Sequence, residues 1–386
     1  MTQRIPLSVL DLAPVPAGGT AAAALRNSVD LAQVAERSGY HRYWVAEHHL
    51  TPGVASAAPA VLIALIIGAT ERIRVGSGAV QMPNTPPLLV AEQFGTIAAL
   101  HPGRVDLGLG RFDLRKVLNR MGGPPPAAQP AAHPGKAPGK PRPTRVVDGL
   151  VLPEPSAYPG DTAIYALLGE LLEVRLDEPA PDYAAQIADI QAFFAGSYPG
   201  PDGQPVTALP AQGADPQVWV LGTTPGESAR AAGEAGLPFA ASYHIVPSFV
   251  LETVEAYRAA FRPSAVLDEP YLMVSADVVV ADDDDAAAEL ALPYGQWVLD
   301  IKSGRGARPY VTPAQARERV WTEQEREGVR DRLQSQFVGS PATVAERLST
   351  LARVTGADEL LVTSVTNEHA DRVRSHELLA KEWTGS

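Results

Sequence analysis

The sequence predicts a single (β/α)8 barrel on two observations: apolar, strand-like runs alternate with helical patterns, and eight such runs can be counted, each followed by helical sequence. After four units the alternation alone fits an open doubly wound sheet as well as a closed barrel, because both join parallel strands by right-handed crossovers. The count of eight decides for the barrel, with 1–386 as one domain.

Pro6 to Leu12 is an apolar run suited to a strand buried on both faces. Gly18 and Gly19 turn the chain, Thr20 stands as the N-cap of a helix running to Ser38, and Gly39 stops it. His41 to about His49 carries the aromatic and β-branched residues that strands favour, and a helix follows over about Ala57 to Thr70. Ile73 to Met82 is the third strand, Leu88 to Leu100 the third helix and Val105 to Gly110 the fourth strand.

After Arg111 the rhythm stops. Met121 to about Pro159 is too rich in Pro, Gly and Ala to support helix or sheet, which predicts an insertion at about 112–160, a surface loop or a lid over the substrate. Alternation resumes with a helix at Asp182 to Phe194 and a strand at Gln217 to Leu221 that runs into Gly-Thr-Thr-Pro-Gly-Glu-Ser. A helix over Ser228 to Ala235, a strand over Phe239 to Ile245, a helix over Phe249 to Phe261 and a strand over Tyr271 to Val280 come next. The four aspartates from Asp282 suit the first turn of a helix, where the dipole favours carboxylates. Pro313 to Gln336 and Pro341 to Val354 are helical, Glu359 to Val365 is the last strand, and a helix near Ala370 to Trp383 closes the chain.

With no cysteine, disulfide scaffolds, thiolate metal sites and cysteine nucleophiles are excluded. Against 44 acidic residues stand 32 basic ones, a formal charge of −12 that offers no footprint for nucleic acid. The N-terminus lacks the apolar run of a signal peptide, and Ala57 to Ala69 is too short to span a bilayer, so the expectation is a soluble cytoplasmic protein.

In such barrels chemistry sits where strands end. Glu47, His48 and His49 end the second strand; adjacent residues on a strand point to opposite faces, so the two histidines do not chelate one metal, and no metal site is expected. Gly76 and Gly78 lie inside the third strand. Gly108 and Gly110 share one face of the fourth, as if that face must stay open for a flat ligand, although the third glycine of a dinucleotide fingerprint is missing. Gly222, Thr223 and Thr224 precede a helix N-terminus, a natural phosphate site or equally a plain helix cap, and Arg111 supplies a cation for the same phosphate.

These residues resemble the bacterial luciferase-like, flavin-dependent monooxygenases. The resemblance rests on YHRYWVAEHH (40–49), ATERIRVGSGAVQMPNTPPLLVAEQFGTIAALHPGRVDLGLGR (69–111), VWVLGTTPGESARAAGEAGLPFA (218–240) and FVGSPATVAERLSTL (337–351). It implies that His48 lies at the reactive edge of FMN as the proton-handling group, with His49 beside it, and that His49 and His244 face the substrate. Gly78 and Ala79 match a family bulge, often with a non-prolyl cis peptide, that supports the flavin ring. Gly108 lies on the open face, and Arg111 with Gly222, Thr223 and Thr224 holds the phosphate. The implied activity is oxygenation of an organic small molecule through a flavin hydroperoxide, with reduced FMN from a separate flavin reductase and O2, by a homodimer. Alternatives are hydride transfer with the 8-hydroxy-5-deazaflavin coenzyme, a catalytically silent partner subunit, and a metal-dependent barrel hydrolase. The chain departs from the family after Arg111, where Phe112 and the proline-rich run replace glycine and an ordered segment.

Overall fold

In the computed structural model the described residues are 4–112, 114, 142–161, 163–174, 178 and 180–385. Eight parallel strands form the barrel: β1 Leu7–Asp11, β2 Arg42–Val45, β3 Arg74–Ser77, β4 Val105–Gly110, β5 Gln217–Gly222, β6 Phe239–Ser242, β7 Leu272–Val280 and β8 Glu359–Thr363. Each pairs with the next, and β8 pairs with both β7 and β1, which closes the ring. Outside it run α1 Ala21–Arg37, α2 Pro59–Gly68, α3 Pro87–Leu100, α4 Tyr183–Ala195, α5 Glu227–Glu234, α6 Val250–Ala260, α7 Pro341–Thr355 and α8 His369–Thr384.

Strand alternation sorts the side chains. Val9, Tyr43, Val75 and Leu107 pack outward among the helices, while Leu10, Trp44, Trp219, Met273 and Leu361 fill the barrel interior. Trp44 and Trp219 meet edge to face at 5.2 Å between ring centroids. Below them, at the N-terminal ends of the strands, Asp106 accepts from Arg42 Nη1 at 2.9 Å, from Trp44 Nε1 at 2.9 Å and from Arg74 Nη2 at 2.6 Å. Glu359 accepts from Arg42 Nε at 3.1 Å, from Tyr271 Oη at 3.0 Å and from Ser8. This end of the barrel is a plug, with both carboxylates fully buried and every one of their oxygens hydrogen-bonded.

Several helix starts follow from their caps. Thr20, Asp182, Asp283 and Ser340 each accept a backbone N–H of the helix they begin. Three expectations need correcting. The proline-rich stretch does hold sheet: Arg145–Val147 and Leu150–Leu152 form an antiparallel hairpin around Asp148 and Gly149, both at positive φ. Residues 121–141 of that stretch lie outside the described residues. A helix, Ala163–Leu171, ending in a turn at 172–173, follows the hairpin. The charged segment 313–336 is two helices, Pro313–Glu318 and Glu323–Ser335, because Thr312 and Thr322 each build a capping box with the Gln or Glu three residues on. Finally β2 stops at Val45 and β6 at Ser242, so Glu47, His48, His49 and His244 sit in the loops beyond. No helix among the described residues is long and apolar enough to cross a membrane.

Candidate active site

A cavity of about 380 Å³ opens at the C-terminal ends of the strands, bordered by the residues that follow them and by Trp297, Ile301 and Arg332 from the helices between β7 and α7. It lies at the end opposite the plug.

One side collects the features of an anion site. β5 passes through Gly222, Thr223 and Thr224 into α5, whose N-cap is Gly226 with no side-chain capping bond. The threonines therefore do not cap the helix, and its first-turn N–H groups have no capping side chain, which removes the plain-cap reading. Arg111 leaves the end of β4 on the same side, with Nη1 2.8 Å from Glu227 Oε2. A phosphate here would meet a guanidinium and a helix N-terminus, with one carboxylate to contend with.

Next to this side the third strand breaks. The Gly78–Ala79 peptide is cis, after which Val80–Gln81 pairs with β4. Gly78, Ala79 and Gly110 all border the cavity, and a Cβ on Gly110 would lie 2.9 Å from Ala79 Cβ. Gly108 is a correction: it does not border the cavity, and its missing side chain makes room for the Ser77 carbonyl, which a Cβ would approach to 2.0 Å. Its N–H donates to Ser77 Oγ at 2.9 Å.

His48 is half-buried at the cavity wall, its backbone N–H held by Ser56 O at 2.9 Å. Its Nδ1 is buried without a partner among the described residues, and burial pushes the imidazole down to about 4, so it is neutral near pH 7. His49 is the second correction. It does not border the cavity; its Nε2 lies 2.8 Å from Glu47 Oε1. Glu47, which sequence reasoning did not assign a role, accepts Gln81 N–H at 2.9 Å on its other oxygen and so ties the loop after β2 to the chain after the cis bond. His244 borders the cavity, with Nδ1 2.5 Å from Ser275 Oγ, and burial followed by Arg332 and then His48 pushes it down to about 3.

Sequence reading also missed Ser275, Asp277, Trp297, Arg332 and Thr363, all on the cavity wall. A lone aspartate inside Leu-Met-Val-Ser-Ala-Asp-Val-Val-Val was a usable signal, since a buried charge needs a partner. Arg332 had none, standing among many charges on one helix.

The luciferase-like monooxygenase family model matches residues 5–133 and 167–359. YvbT of Bacillus subtilis is 40% identical over 98% of this chain and 96% of its own length. A luciferase-like monooxygenase of Escherichia coli is 34% identical over 97% and 96%. Among solved structures, apo-MsnO8 is 30% identical with a TM-score of 0.76, covering 99% of this chain and 98% of its own. The fold is shared at lower identity by the oxygenating constituent of 3,6-diketocamphane monooxygenase from Pseudomonas putida, solved with FMN (18%, TM-score 0.63, coverage 99% and 99%). It is shared too by an F420-dependent tetrahydromethanopterin reductase from Methanopyrus kandleri (16%, TM-score 0.58, coverage 98% and 98%). This chain belongs to the luciferase-like monooxygenase family.

Proposed function

We propose that the protein is an FMN-dependent monooxygenase that receives reduced flavin from a separate reductase and oxygenates a small organic molecule. One observation carries the reading: a single cavity joins an uncapped helix N-terminus and Arg111 on one side to a neutral, half-buried histidine. These residues fit FMN. Arg111, Thr223, Thr224 and the N-terminus of α5 would hold the phosphate, and Gly78, Ala79 and Gly110 would leave the wall free for a flat ring system. Bound reduced FMN would supply the electrons and the activation of O2.

The chain's own part is binding, dryness and one proton. Leu10, Ala240 and Leu361 give the cavity an apolar floor, which withholds water and stray acids. His48, neutral near pH 7, can accept a proton on a ring nitrogen but offers no imidazolium to discharge one unbidden.

The test is an anaerobic titration with reduced FMN, reduced riboflavin and the reduced 8-hydroxy-5-deazaflavin coenzyme. FMN is expected to bind at least about tenfold more tightly than riboflavin, and Arg111→Ala to narrow that gap. Binding of the deazaflavin coenzyme without FMN would replace the reading by hydride transfer, and binding of neither would leave a silent partner subunit.

A homodimer is proposed on a separate observation. α2 is apolar all round and leaves Val61 63% and Leu65 61% exposed, and α3 beside it exposes Leu88 and Leu89. Sedimentation of a monomer at micromolar concentration would contradict this.

A further inference from the structure

The cavity wall across from Arg111 holds a pair of opposite charges apart from the residues proposed to hold the flavin. Arg111 follows β4, whereas Thr363 ends β8, four strands round the ring, and Asp277 of β7 lies level with Thr363 in the sheet. Arg332, on helix Glu323–Ser335, reaches the same place. Asp277 is 4% exposed and Arg332 7%, and both border the cavity.

Their hydrogen bonding is lopsided. Asp277 Oδ2 accepts from the Tyr294 hydroxyl and from Arg332 Nη2 at 3.3 Å, and Nη2 also donates to Tyr294 Oη at 3.0 Å. Asp277 Oδ1 and Arg332 Nη1 make no hydrogen bond among the described residues. Arg332 Nε, Trp297 Nε1 and Thr363 Oγ1 are buried without partners as well. The wall thus has spare donors next to one spare acceptor.

Its charge, by contrast, is already balanced. Arg332 offsets Asp277, and the facing imidazoles of His48 and His244 are neutral. Glu47 is engaged by His49 and Gln81, and Glu227 by Arg111. A ligand group with a net charge would stand against this wall with nothing there to neutralise it. A neutral group presenting an acceptor beside a donor would complete both halves of the pair.

We propose that this wall is the substrate-recognition subsite and that it takes a carboxamide, whose carbonyl accepts from Arg332 while its N–H donates to Asp277 Oδ1. The proposal rests on the function proposed above, but its test does not, because binding is read on the protein without flavin. The probes are hexanamide, hexanoate and hexylamine, alike in length and different in charge, titrated calorimetrically near neutral pH. Hexanamide is expected to bind about tenfold more tightly than either charged probe. Asp277→Asn leaves Arg332 unbalanced and is expected to move the preference to hexanoate; Arg332→Gln leaves Asp277 unbalanced and should move it to hexylammonium.

If a variant does not fold, the ranking on the unaltered protein still decides. A charged probe binding tightest, equal binding of all three, no binding of any, or an unmoved preference in the folded variants would each overturn the assignment. Failure of reduced FMN to bind would instead sink the proposed function while leaving the probe ranking as it stands.

Discussion

The two ends of the barrel are built from similar residues and treat them in opposite ways. At the N-terminal end Asp106 and Glu359 are fully buried, yet each carboxylate oxygen accepts at least one hydrogen bond, from Arg42, Arg74, Trp44, Tyr271 or Ser8. At the C-terminal end His48, Trp297, Arg332 and Thr363 each keep a buried nitrogen or oxygen with no partner among the described residues, and they border a cavity. Buried polar groups left unpaired cost stability, and these four border a space where a ligand can pair with them. The paired carboxylates hold one end shut, and the unpaired groups at the other end face the cavity.

The largest effect that would break this contrast lies at the plug. Asp106→Ala takes from Arg42, Arg74 and Trp44 the carboxylate they share and leaves a void, with Arg42 still held by Glu359, and should cost about 3–5 kcal/mol in urea unfolding. A loss under about 1 kcal/mol would mean that the plug does not carry the barrel.

The pH dependence comes next. Burial holds His48, His244 and His376 at about 4, 3 and 3, below the 6.5 of an unfolded histidine. Below 6.5 the unfolded chain takes up protons that the native protein refuses, so their contribution to stability is intact above 6.5 and falls as pH drops toward 4. Each histidine contributes up to about 1.4 kcal/mol per pH unit in that window. Two of the three sit at the cavity, so a urea midpoint unchanged from pH 7 to about 5.5 would remove the neutral imidazoles from the account.

His48→Ala sharpens the contrast by separating function from fold. Stability and flavin affinity should stay near those of the unaltered protein, while oxygenation of whichever substrate a screen yields drops by about a hundredfold. Unchanged turnover would remove His48 from the chemistry. The smallest effect is at the phosphate side: Glu227→Gln takes a carboxylate away from Arg111 and the start of α5, and should tighten FMN a few-fold over riboflavin. Equal gains for both flavins would place the phosphate elsewhere.

The barrel was far more legible in the sequence than the plug or the cavity wall. Eight strands show as apolar runs because both faces of each are buried, and their order follows from one crossover rule. The phosphate turn and His48 lie where strands end, which local sequence announces. The hairpin around Asp148 and Gly149 was also announced, by an Asp-Gly pair between Val-rich and Leu-rich runs, and was masked by the prolines around it. Arg332 and Trp297 were hidden for a different reason. They come from helices between β7 and α7, and only long-range packing brings them over the cavity. His49 misled because it neighbours His48 in sequence, whereas the loop turns it onto Glu47.

The most direct test of the claim that the unsatisfied end is the working end is the fate of reduced FMN in air. Mixed anaerobically with the protein and then with oxygenated buffer, reduced FMN should give oxidised FMN far more slowly than it does free in solution, because the cavity withholds the water and stray acids that complete reoxidation once O2 has reacted. Reoxidation at the rate of free flavin, with the barrel intact, would contradict the account.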